Sequence, residues 1–116
     1  MHDTKNLVVN SRHKALLAGF YQSDNDDESI EELRQLASSA QLDVLAIVKG
    51  RRSRLNPATY IGTGKIDEIA LLLNTSEEKI SIVIFNNDLT PIQERNLTNR
   101  LQCPVIDRTS LILDIF

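Results

Sequence analysis

Three short runs of unbroken apolar sequence, each separated from the next by a helical pattern, constrain this chain more than any other feature. They are residues 15–21 (A-L-L-A-G-F-Y), 44–48 (V-L-A-I-V) and 82–85 (I-V-I-F). Runs of this length without polar alternation mark strands covered on both faces, as in parallel sheets. Ser29 reads as the N-cap of an intervening helix, with Glu32 completing a capping box and Ile30, Leu33, Leu36, Ala37 and Ala40 forming its apolar stripe. A second helix follows Gly62–Lys65, with Ile66, Ile69, Ala70 and Leu73 as its stripe. The third is signalled most strongly: Thr90 as N-cap, Pro91 at the first helical position, Gln93 closing a capping box, and Leu97 and Leu101 as anchors. Val105 and Ile106 then give a short fourth strand. This alternation predicts an α/β fold, a four-stranded mainly parallel sheet flanked by helices, with right-handed crossovers and strand order 2-1-3-4.

The last stretch opens as a helix capped by Asp107 or Thr109, puts Leu111, Ile112 and Ile115 on one face, and reaches Phe116 without a closing signal. It reads as the truncated start of a longer element. The organisation expected is therefore a flexible arm over 1–14, an α/β domain over 15–108, and at 109–116 the beginning of a helix that leads onward.

Aromatic residues make up 4% of the 116, so the core must be aliphatic. A formal net charge of −3 argues against a dedicated nucleic-acid binder on average, although a local patch can override the average. The single cysteine, Cys103, excludes an internal disulfide and reads as a buried structural thiol in a reducing compartment. No apolar run approaches the roughly 18 residues of a membrane span, and no apolar signal core follows the N-terminus, so the expected location is the cytoplasm.

In a parallel sheet, ligands gather at the carboxyl ends of the strands. That rule selects the loops at 22–28, 49–58, 86–90 and 107–109. Lys49, Arg51, Arg52 and Arg54 put four cations into six residues without an acid, beside Gly50, where the chain is free to turn. Such a loop suits phosphate; alternatively it is solvated and balanced by Asp24, Asp26, Asp27 and Glu28. Gly62-Thr63-Gly64-Lys65 before a helix is either an anion-binding turn or a tight structural one. It is not a Walker sequence, since Thr59 stands where the first glycine belongs and Ile66 where the magnesium-ligating hydroxyl belongs. The acidic loop lacks calcium-loop spacing, and its charge is explained by the helix N-terminus beside it. Gln93, Glu94, Arg95, Asn96, Asn99 and Arg100 form either a solvated helix face or a partner surface. His2 and His13 have no nucleophile placed beside them, and neither a triad, a zinc spacing nor a redox pair can be assembled. No catalytic residue and no metal ligand is assigned.

Three blocks carry a resemblance. Asn56-Pro57-Ala58-Thr59-Tyr60-Ile61-Gly62-Thr63-Gly64-Lys65, with Glu68-Ile69, resembles the central motif of the N-terminal domain of HflX-type GTPases. The run from Phe85 to Leu97 (F-N-N-D-L-T-P-I-Q-E-R-N-L) resembles that family's second block, and the run from Val105 to Phe116 its third. The order and spacing agree from about Ala15 to the end. The residue between the two glycines is often charged in the family and is Thr63 here.

The resemblance implies a cytoplasmic translational GTPase that binds the large ribosomal subunit and acts in splitting or rescuing ribosomes. It implies a helical hairpin and a GTP-hydrolysing domain further along, with GTP and Mg2+ held there and no cofactor held by this segment. The leading expectation is a module contacting ribosomal RNA through Lys49, Arg51, Arg52 and Arg54, with Lys65 and Arg108 as secondary contacts. One rival is a separate nucleotide-binding domain built on Gly62, Thr63, Gly64 and Lys65. Another is a structural domain that regulates GTP hydrolysis.

Overall fold

The computed structural model describes residues 13–21, 27–51 and 56–115. Four strands, β1 (His13–Tyr21), β2 (Leu42–Arg51), β3 (Ile82–Phe85) and β4 (Val105–Asp107), form one sheet in the order β2-β1-β3-β4, and every pairing is parallel. The helices are α1 (Asp27–Ser39), α2 (Thr63–Thr75), α3 (Pro91–Leu101) and α4 (Arg108–Ile115). The α/β class and the strand order are as the sequence predicts.

Residues 15–18 and Phe20 of β1 are buried, because this strand is central and helices cover both its faces. Leu16, Ala18, Phe20, Val83, Phe85 and Val105 meet Ile66 and Ile69 of α2 and Leu97 and Leu101 of α3. On the other face Ala15, Leu17 and Ile84 meet Ile30, Leu33 and Ala37 of α1 and Leu111 of α4. The chain moves one way across the sheet with its helix on one face, then returns with its helices on the other. Uniformly right-handed crossovers require that arrangement.

Four expectations need correction. β1 begins at His13, two residues before the apolar run. Lys14 is drawn into the strand by Asp43, 2.7 Å from its ammonium, and its carbonyl accepts the Ser81 N–H. α1 begins at Asp27, so Ser29 lies within the helix and the box with Glu32 does not form; the Ser29 hydroxyl instead faces Asn86 and Arg108. β2 is an edge strand and is not covered on both faces: Leu45 and Ile47 are 37% and 41% exposed, and the ladder to β1 shifts register there. It also runs on to Arg51, which takes Lys49, Gly50 and Arg51 out of the loop and into the strand. Gly50 provides room rather than a turn. A Cβ there would stand 2.8 Å from Lys65 Cε and 3.2 Å from the Phe20 ring. Thr59–Ile61 form the end of a tight turn in which Tyr60 takes a φ of 69°.

The third helix is as predicted: Thr90 Oγ1 accepts from the Gln93 N–H and Gln93 Oε1 accepts from the Thr90 N–H. Of the two residues proposed to cap α4, Asp107 does so, accepting the Ser110 N–H at 3.0 Å. Cys103 is buried, and burial pushes its thiol above the ordinary cysteine range. Among the described residues, no helix is long and apolar enough to cross a membrane. The arm over residues 1–12, with His2, and most of the acidic loop lie outside the described residues.

Candidate nucleic-acid interface

The connection after β1 puts α1 on one face and the connection after β3 puts α3 on the other. The crevice between the carboxyl ends of these neighbouring strands is therefore the topological switch point, where open α/β sheets bind ligands. Asn86 and Asn87, directly after β3, build it. The Asn86 N–H donates to the Ala18 carbonyl at 2.8 Å, continuing the ladder by one bond. Asn87 continues it with its side chain: Oδ1 accepts the Phe20 N–H at 3.0 Å and Nδ2 donates to the Phe20 carbonyl at 2.9 Å. A carboxamide has the donor and acceptor of a peptide group, so it can stand in for one.

Arg108 opens α4 and turns toward α1. Its guanidinium donates to Asn86 Oδ1 at 3.1 Å and Ser29 Oγ at 3.3 Å, and lies 3.3 Å from Glu32 Oε1. These contacts tie three elements together across one edge. Lys65 is similarly occupied, donating to the Lys49 carbonyl at 3.2 Å and to Glu68 Oε1 at 3.0 Å. Lys49 and Arg51 are exposed at the end of β2, whereas Arg52 and Arg54 lie outside the described residues. Of the six cations, Lys49 and Arg51 are exposed on the edge strand, Lys65 bonds to Glu68 and the Lys49 carbonyl, Arg108 bonds to Ser29, Asn86 and Glu32, and Arg52 and Arg54 are not described.

Gly62, Thr63 and Gly64 form the exposed start of α2. Gly62 is the N-cap with φ −77° and offers no side-chain cap. Neither glycine has a positive φ, and a Cβ on either would meet nothing within 4 Å. Open space, not backbone strain, distinguishes this turn, and the positive end of the helix dipole faces it. Ile66, where a magnesium-ligating hydroxyl would be needed, is packed in the core. The turn therefore does not fit a nucleotide triphosphate and its magnesium ion in the Walker manner.

The preceding turn is locked to α3. Asn56 Oδ1 accepts the N–H groups of Ala58 and Thr59, and Asn56 and Tyr60 exchange backbone bonds of 3.3 and 2.7 Å. Gln93 Nε2 donates to the Asn56 carbonyl at 3.1 Å, and Asn96 Nδ2 donates to the Ala58 carbonyl at 3.0 Å. Gln93 is therefore turned inward rather than solvated, while Asn96 holds the turn from the surface; Arg95, Asn99 and Arg100 remain exposed. Asp107, also buried, accepts the Leu89 N–H at 3.0 Å. Loss of solvent, and then the neighbouring Asp107 charge, raise the Glu94 carboxyl above the ordinary glutamate range.

A reading by charge overlooks the amides Asn86, Asn87, Gln93 and Asn96. The available signal was their position inside the second motif block, two directly after β3 and two nearly one helical turn apart on α3.

A family described as "GTP-binding GTPase N-terminal" matches residues 27–116. Proteins named GTPase HflX from Escherichia coli, Caldanaerobacter subterraneus and Methanocaldococcus jannaschii are 41%, 34% and 43% identical over 84%, 98% and 78% of this chain. The chain spans only 22–26% of the length of each of these relatives. A crystal structure of SsGBP with GDP superimposes with a TM-score of 0.60 at 27% identity, over 85% of this chain and 28% of that one.

Proposed function

Because this chain belongs to the HflX family of GTPases, as an example of its N-terminal domain, we propose that it seats a GTP-binding protein on the large ribosomal subunit. In this reading the chain itself hydrolyses nothing. GTP and Mg2+ belong to a GTPase domain beyond these residues, which residues 109–116 approach through a helical hairpin, and the protein works in the cytoplasm in splitting or rescuing ribosomes. Family membership supports the GTPase part of the reading. The observation that supports an RNA contact is the exposed pair Lys49 and Arg51 on the edge strand, which leads directly into Arg52 and Arg54. Lys65 and Arg108 are secondary contacts, and Gly62–Gly64 offers an open turn beside Lys65.

The test is the salt dependence of binding to ribosomal RNA. Each phosphate neutralised on duplex RNA steepens the slope of log affinity against log salt by roughly 0.7–0.9, taking the values for nucleic-acid strands. Replacing Lys49, Arg51, Arg52 and Arg54 together by alanine flattens the slope by about 2–4. An unchanged slope rules the edge out as the contact.

A further inference from the structure

The switch-point crevice holds a cavity of about 180 Å3 between β1, β3 and α1. It is smaller than the roughly 300–1,000 Å3 of sites for drug-sized molecules, so it accommodates one ring system and not a whole nucleotide. Gly19 lets Ile30 close against the strand; a Cβ at residue 19 would stand 2.8 Å from Ile30 Cδ1. Tyr21 and Ser29 line it further, and Asn86 and Asn87 supply its amides.

Those amides have capacity left over. A carboxamide offers two hydrogens and two lone pairs. Asn86 uses one hydrogen on Ser29 Oγ and one lone pair on Arg108; Asn87 uses one of each on Phe20. Among the described residues, each keeps one donor and one acceptor without a partner, the pairing that a nucleobase edge also presents. Among the described residues that line the cavity, Lys49 is the charged one. Lys49 and Arg51 on the neighbouring strand favour phosphate outside.

A ring-sized, hydrogen-bonding hollow beside a cationic strand end matches one unpaired nucleotide. RNA sequence is read mainly from such unstacked bases, against aromatic rings and through amide contacts to their edges. We propose that the cavity receives a single unstacked nucleobase of RNA, bonded by Asn86 and Asn87, while Lys49 and Arg51 hold the flanking phosphates. The proposal rests on the RNA-contact reading above and specifies its ligand.

The test compares two short single-stranded RNAs in titrations with the 116-residue chain. One carries a single 2-aminopurine; the other has an abasic site at that position and the same phosphates. The expected result is a saturable change in 2-aminopurine emission and about tenfold or more tighter binding of the base-bearing RNA, the scale of one base contact. Gly19→Ala, which pushes Ile30 toward the hollow, removes that difference and leaves the salt slope in place. Equal affinity for the two RNAs with a steep salt slope would overturn the base pocket and leave the phosphate contacts standing. No binding of either RNA would overturn both. A free nucleoside that bound as tightly as the oligonucleotide would assign the pocket to a small molecule and overturn the RNA assignment.

Discussion

Tyr60 adopts a left-handed backbone that bulky residues rarely take, and its surroundings account for that. Its ring is buried edge-on to Phe85, with centroids 6.4 Å apart, while the Asn56 turn fixes its backbone. Replacing it with alanine keeps the unfavourable φ and loses the ring, so Tyr60→Ala should cost about 3 kcal/mol or more in a denaturant melt. Glu94 gives a prediction that depends on pH. Its folded-state carboxyl binds a proton more tightly than the unfolded one. Stability is therefore lost as pH rises from the ordinary glutamate range through the raised value, and the penalty is complete above it. Glu94→Gln should melt higher than the parent at pH 7, and the gain should vanish below about pH 4, where both states carry the proton. Cys103, buried with its thiol pushed upward, should react with a thiol reagent far more slowly in buffer than in denaturant. A fast native reaction would show that α3 and the loop after it open readily.

The element that joins the motif blocks is α3. Gln93 closes the capping box and, from the same side chain, holds the Asn56 turn. Gln93→Ala should destabilise by about 1–2 kcal/mol, more than a surface substitution, because a cap and a part-buried bond are lost together. Gln93→Glu keeps the acceptor for the Thr90 N–H but sets a buried carboxylate against the Asn56 carbonyl, so it should cost more than the lost bond alone, and less at low pH where the carboxyl is protonated. The cap was legible in sequence because Thr90, Pro91 and Gln93 satisfy a local rule. The strands were legible because 15–21 and 82–85 are apolar without a break. The start of α1 was not: Ser29 and Glu32 have the spacing of a capping box, but their partners Asn86 and Arg108 come from distant sequence. The end of β2 was hidden in the same way. Lys49, Gly50 and Arg51 read as a loop until the Phe20 ring and the Lys65 stem are seen packed against the glycine. Local chemistry predicts local structure; contacts made across the sheet override it where the two conflict.

At the scale of the molecule, the sheet order brings β1 and β3 together at its centre and leaves β2 on one edge. The centre supplies a crevice lined by amides and the edge supplies exposed cations, the two features on which the proposed RNA contact rests. The six-cation site was only partly legible, because charge can be counted in a sequence whereas engagement cannot. Lys65 and Arg108 look like any exposed cation until their bonds within the fold are known. The most direct measurement of the central claim is co-sedimentation of the 116-residue chain with purified large ribosomal subunits at low and moderate salt. The account predicts saturable binding that weakens steeply as salt rises, and weakens further when Lys49, Arg51, Arg52 and Arg54 are all alanine. Absence of binding at either salt would contradict it and leave the domain a structural or regulatory part of its GTPase.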